Sequence, residues 1–469
     1  MKGTKTLNYR SANSAERLFR HLSRPVIHRI NKEVARLAPS WGLTYVDEKG
    51  KTEAITLTLR PRLIDEKKLK ALWQVLQVLD GAFRKIAGLY FQHPNFTELF
   101  PFSDRELDWL SVLEDPEYPG GEIASRWDAN TTFGDEDWKQ GFSFFEVNGV
   151  GVGGLWYGPA CAEVALRAIV PELWKIDPRF RPLLKPDMRE LLLGILLSQR
   201  KRLRRTRGSI AFMMEKASGS NYVEFERLAD FCRRRGYSAL VAEPTDFSFK
   251  GEELAANGKK IDILYRDTTL SELCALEEKG HPMQPLREAF RRGQMVSSLE
   301  GEFDHKSAFE VFSNPDFDQF FSSKERALFK RHILWTRLLR ETRTTDPGGK
   351  EVDLLTFARK RQTQLVLKPN RLYGGRGVAF GLDLTRGAWE KKIETALKEP
   401  GGWVVQQRGS FRKKRFFRPD GKKVEEKDLY VVSGFFSTSK GLGIVGRMSE
   451  RTVVNVARRG GLTPILLIK

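Results

Sequence analysis

Along the first hundred residues the apolar positions repeat at helical spacing. In LKALWQVLQVLDGAFRKIAGLYF they fall at Leu69, Leu72, Trp73, Leu76, Leu79, Phe83, Ile86 and Tyr90. That three-and-four spacing predicts one amphipathic helix with the stripe in the core. From about residue 126 the pattern shortens to strand-like runs, and a helix follows from Pro159 in PACAEVALRAIV. An α/β unit begins near 208. GSIAFMME reads as a buried strand and NYVEFERLADFCRRRG as a helix, with Asn221 and Glu224 at capping-box spacing and Gly236 as its stop. YSALVAEP and KKIDILYR read as further strands. From about 350 the chain is strand-rich with glycine turns, in TQLVLKP, GVAFGLD, WVVQQRG, DLYVVSGFF, LGIVGRM and TVVNVAR. The fold class expected is α/β (α+β), with no internal repeat.

Composition narrows the picture a little. The 469 residues are 40% hydrophobic, enough to furnish cores for two to four domains. The longest aliphatic run, LLLGILL at 191–197, is far too short to cross a membrane. MKGTKTLNYR has no apolar segment behind it, so a cytoplasmic protein is expected. Cys161, Cys232 and Cys274 are scattered and form no zinc spacing. A net charge of +20 suits an anionic partner. Its densest runs are RKRLRR at 200–205 and RKKRFFRPDGKK at 412–423. No RNA-recognition sheet motif accompanies them, so nucleic acid stays open as a partner but is not favoured.

Two glycine-rich stretches carry the candidate chemistry. In FFEVNGVGVGG, Gly149, Gly151 and Gly154 match the dinucleotide-binding spacing, but LWYGP intervenes before the next helix, where that motif needs a helix directly after a strand. The residues just before the glycines read better. Glu146 and Asn148 share one face of a strand, as do Arg126 and Asp128 in SRWDAN. The polar TTFGDEDWKQG between them lets the two strands form an antiparallel hairpin. Two carboxylates and an amide oxygen are hard donors suited to Mg²⁺ beside substrate phosphates.

The second stretch is LVLKPNRLYGGRGVAFG. A strand ends at Lys368, and a loop with Tyr373, Gly374, Gly375 and Gly377 leads into another strand. This is no P-loop, yet glycines without Cβ atoms let backbone N–H groups approach phosphate oxygens, and Lys368 adds a charge. About 30 residues on, Gln406 or Gln407 of WVVQQRG offers a donor and an acceptor to an adenine edge.

These motifs, with GIVGRMSERTVVNVARRGGLTPIL, resemble the ATP-grasp superfamily. They resemble most its circularly permuted branch, which includes glutathionylspermidine-synthase-like ligases. The resemblance covers roughly residues 100–469. It implies an ATP-grasp fold in which the metal-ligand strands precede the lysines, with an α/β pre-grasp-like domain inserted and a helical part at the N-terminus. The implied division is 1–125 (helical), 126–165 (metal-ligand strands), 166–320 (helical connection and substrate-side α/β domain) and 321–469 (lysine and glycine-loop lobe with the remaining strands).

The activity implied is an ATP- and Mg²⁺-dependent ligase joining a small-molecule or peptide carboxylate to an amine. Asp128, Glu146 and Asn148 would hold the metal. Lys324, in NPDFDQFFSSKERALF, and Lys368 would bind phosphates, and Arg126 and Arg447 would stabilise the transferred phosphoryl group. In KKIDILYR, Asp267 follows where the family carries a second arginine. Both ends of the motif set should line one cleft, with Lys368 and Arg447 facing the metal strand across a gap of about 10 Å, roughly the length of a triphosphate. A non-catalytic protein binding an anionic polymer, or a kinase-like transferase, are the alternatives.

Overall fold

The predicted apolar stripe lies on helix Glu66–Gln92, begun by Asp65, whose carboxylate accepts the Lys68 N–H. Leu72, Leu76, Leu79, Phe83, Ile86 and Tyr90 are buried, while Leu69 and Trp73 are partly covered. The helix also presents a polar edge that periodicity did not reveal. Trp73 Nε1 donates to Thr438 O at 2.8 Å, Gln77 Nε2 donates to Ser437 Oγ at 2.9 Å, and Asp80 accepts from Ser125 Oγ and Trp127 Nε1, both at 2.8 Å. The helix therefore buttresses the sheet that carries the candidate site. This computed structural model describes residues 13–46, 51–130, 138–139, 141–216, 222–420, 423–452 and 460–468.

That sheet joins distant parts of the chain. Strand Arg126–Asn130 pairs antiparallel with Ser143–Asn148 on one side and with Lys423–Thr438 on the other. Lys423–Thr438 continues to Gly441–Ser449, which pairs with Gly461–Thr463. All five residues of Arg126–Asn130 are buried because the strand lies in the middle. Near the two chain ends, Arg62–Asp65 and Ile465–Ile468 pair in parallel.

The α/β unit forms where expected. Ala239–Ala242, Ser209–Met213, Lys259–Arg266 and Met295–Val296 form a parallel run in that spatial order. Helix Tyr222–Arg234 packs beside it, and Gly236 follows at φ +85°. Asn221, and with it the expected capping box, lies outside the described residues. The Glu224 carboxylate accepts from the N–H groups of Gly154 and Trp156.

The glycine-loop lobe is an antiparallel sheet in the order Thr336–Leu338, Trp403–Gln407, Leu365–Pro369, Ala379–Phe380. Helices Leu354–Lys360 and Arg386–Leu397 cover it, around a core that includes Leu355, Trp389 and Val405. GVAFGLD gives only the two-residue strand Ala379–Phe380, because at Gly381 the backbone passes against Gln362 O, 2.0 Å from where a Cβ would stand. The predicted strand TVVNVAR and the polar hairpin connection lie almost wholly outside the described residues, at 453–459 and 131–137.

Candidate active site

The hairpin register sets the site. Arg126 stands opposite Asn148 and Asp128 opposite Glu146, with a register shift just after Asp128. On the other flank Asp128 faces Gly434, whose missing Cβ leaves room for the side chains of Arg126 and Asp128. Asp128 is fully buried and joins two guanidinium groups. Arg126 Nε and Nη2 reach its two oxygens at 2.9 and 3.0 Å, and Arg447 Nη2 reaches Oδ2 at 2.7 Å. Burial alone would raise the Asp128 carboxyl, but the two arginines outweigh it and hold it below the usual aspartate range.

The triad pairs three of the expected site residues with one another. Asn148 Nδ2 also donates to Asp128 Oδ2, at 3.3 Å, so among the described residues that oxygen is surrounded by three donors while Oδ1 accepts from Arg126 alone. Arg126 Nη1 donates to Gly153 O at 2.5 Å, so the same guanidinium that pairs with Asp128 also braces the glycine turn. Arg447 is different. Its side chain is one-fifth exposed and its buried Nε has no partner.

The residues beside the triad fit Mg²⁺ in part. Glu146 keeps a partly exposed carboxylate, and the Asn148 amide donates through nitrogen, which leaves its oxygen as a donor to a cation. One or two protein oxygens, with waters and phosphates completing the octahedron, are the usual magnesium arrangement. Among the described residues no cluster of three His, Cys, Asp or Glu side chains could hold a metal without such help.

Two lysines approach this strand from the other lobe. Lys368, buried, donates to Gln406 Oε1 at 2.6 Å and to Phe145 O at 3.2 Å. Burial pushes its ammonium down to about 8, with Glu146 opposing and Lys306 reinforcing the shift. Lys306 Nζ pairs with Glu146 Oε1 at 3.2 Å and donates to Leu372 O at 2.7 Å. Sequence reasoning passed over Lys306 because DHKS matches no glycine or strand motif. Lys324, by contrast, is exposed on the first turn of helix Ser323–His332, where its neighbour Glu325 pairs with Lys85. The structure does not bring it to the cluster.

The expected gap of about 10 Å is not there. Arg447 pairs directly with Asp128, opposite charges removed from water, and Lys368 donates to the Phe145 carbonyl. The adenine candidates also divide. Gln406 is buried with its amide engaged by Lys368, Phe145 O and Thr336 Oγ1, so it positions the lysine and cannot read a base. Gln407 is half-buried on the opposite strand face, its N–H donated to Trp335 O.

Asp304 links the two glycine-rich stretches. Its Oδ2 accepts from Gly149 N at 2.7 Å and its Oδ1 from the Tyr373 hydroxyl at 3.0 Å. Burial, with Glu302 nearby, pushes its carboxyl up to about 7. Gly149 is required because Gly301 O passes 2.3 Å from its Cβ position, and Gly151 and Gly154 take φ of +62° and +97°. The 149–154 segment is a turn, closed on one side by Glu224. Glycines 374, 375 and 377 take φ of +68°, +69° and +73°.

No family model and no curated protein matches the chain. Among solved structures it is similar to a glutathione synthetase-like effector from Globodera pallida in its apo form. The identity is 12% and the TM-score 0.63, over 96% of this chain and 98% of that one. A RimK domain ATP-grasp protein from Sphaerobacter thermophilus (12% identity, TM-score 0.25, 53% of this chain and 91% of that one) is matched too weakly to carry an argument. The same holds for the ATP-grasp ligase PsnB complexed with minimal precursor, at 13%, 0.26, 54% and 91%. At such identities the likeness shows the fold alone. That fold is a mixed helix-and-sheet architecture.

Proposed function

We propose that the protein is an ATP-dependent carboxylate–amine ligase built on a circularly permuted ATP-grasp. The observation that carries the reading is the convergence of Lys306 and Lys368 on strand Ser143–Asn148 and of Arg447 on Asp128 of the strand paired with it. A substrate carboxylate would attack the γ-phosphorus of ATP, giving an acyl phosphate and ADP. An amine would then displace phosphate, losing a proton as the amide forms. Such transfer depends on positioning and charge neutralisation.

Lys306 and Lys368 would neutralise non-bridging phosphate oxygens, and Arg447 would meet the transferred group through the nitrogens that Asp128 leaves free. Arg126 and Asp128 hold Arg447 in place from below. Glu146 and Asn148 would hold Mg²⁺, which would supply positive charge against the phosphates. The loop at 373–377 would cover the triphosphate, with the Gln407 end of its strand beside the base. The second substrate would enter at the carboxyl ends of the parallel strands. The carbonyl of Asp267, just beyond strand Lys259–Arg266, lies 3.2 Å from the Gly151 Cβ position.

ADP release measured against a panel of amino acids, polyamines and short peptides tests the proposal. Wild type should release ADP only when both a carboxylate and an amine are present. Glu146→Gln should lower the rate by about 100-fold or more while leaving the fold intact. ADP release independent of any amine would favour simple phosphoryl transfer and overturn the ligase assignment.

A further inference from the structure

Three consecutive residues at the root of the glycine loop each meet a buried ionisable side chain. Arg371 forms a two-pronged ion pair with Glu106, Nη1 to Oε2 at 3.0 Å and Nη2 to Oε1. It also lies over the Phe102 ring and reaches Pro101 O at 3.4 Å. The Leu372 carbonyl accepts from Lys306, and the Tyr373 hydroxyl donates to Asp304. Glu106, Asp304 and Lys306 are at most 5% exposed.

One residue earlier Asn370 is built in on every side. Its N–H and Nδ2 donate to Gly402 O and Gly401 O, and its O and Oδ1 accept from the backbone N–H groups of Lys306 and Ser307. The turn beyond Tyr373 has three left-handed glycines, with Gly374, Arg376 and Gly377 exposed.

The Glu106 carboxylate is set in advance of this pairing. It accepts from Ser103 N at 2.8 Å and from Ser103 Oγ at 3.0 Å in a capping box that starts helix Asp104–Leu110. Losing one partner of such an ion pair leaves the other charge uncompensated in a poorly solvated place.

We infer that Glu106 is a positioning residue of the glycine loop. Through Arg371, the segment 101–106 of the N-terminal region holds the root 370–373 still, and the tip 374–377 is the part that moves. This deepens the ligase reading and rests on it for what the tip covers.

Glu106→Gln keeps an acceptor for Ser103 and removes the charge, so hydrogen exchange and steady-state kinetics on the full chain test the inference. Exchange across 366–376 should accelerate about tenfold or more, while helix Glu66–Gln92 keeps its protection. KM for ATP should rise about tenfold with kcat changed less than about threefold. Arg371→Lys keeps the charge without the fork and should fall between wild type and Glu106→Gln in both readouts. It carries the test alone if the glutamine variant does not fold. Unaltered exchange across 366–376 overturns the inference, and so does faster exchange with an unchanged KM. Faster exchange in a protein whose wild type shows no response to ATP at all sinks the ligase reading and leaves the anchor standing.

Discussion

At the scale of single residues, the account turns on which lysine serves the phosphates. Motif matching points to Lys324, whereas geometry points to Lys306, which is buried beside Glu146 and beneath the loop root. Lys306→Met should lower kcat/KM for ADP release by about 100-fold or more, and Lys324→Met should change it by less than about twofold. The reverse ranking would show that the motif was the better guide. The strand positions of Glu146, Asn148 and Lys368 and the turn at the loop glycines were legible in the sequence because strand periodicity and glycine spacing mark them. Lys306 was not, since its place depends on a turn that only tertiary packing defines. The triad of Arg126, Asp128 and Arg447 was half legible: the three residues were singled out, but their mutual pairing was not.

At the scale of elements, the turn at 149–154 shows what the glycines are for. Glu224 reaches across from helix Tyr222–Arg234 and accepts from Gly154 N and Trp156 N, with Asp267 and Arg126 as the nearby charges. Burial pushes its carboxyl from 4.5 up to about 7, against the lowering effect of those N–H groups. A carboxyl raised in the folded state contributes stability that is full below about pH 4.5 and is lost as pH rises through about 7. Glu224→Gln removes that loss. Denaturant unfolding of the two proteins should therefore shift in favour of the variant by up to about 3 kcal/mol between pH 5 and pH 8. A constant difference across that range would mean that Glu224 does not titrate there. The capping-box spacing at Asn221 and Glu224 gave the helix, while the contact of Glu224 with a distant turn left no local trace in the sequence.

At the scale of the whole molecule, the sheet gathers residues 126–148 and 423–449 into one surface, and the long helix 66–92 supports it through Trp73, Gln77 and Asp80. The mixed class and most strands were readable from apolar periodicity. The buttressing was not, since a lone polar edge on an apolar helix leaves no periodic trace. The charge excess is also less free than composition implies. In the run at 200–205, Arg200 pairs with Asp262, Arg202 donates to Gly120 O, and Arg205 pairs with Glu253. Among the described residues no helix is long and apolar enough to cross a membrane.

The central claim is that the surface where these strands and lysines meet binds ATP with Mg²⁺, and thermal unfolding with added nucleotide tests it most directly. At a concentration about 100 times its dissociation constant, ATP with Mg²⁺ should stabilise the wild-type protein by about 2.7 kcal/mol. NAD should produce no shift, and Lys306→Met should lose most of the ATP effect. An equal response to NAD, or no response to ATP with Mg²⁺ at any concentration, would contradict the account.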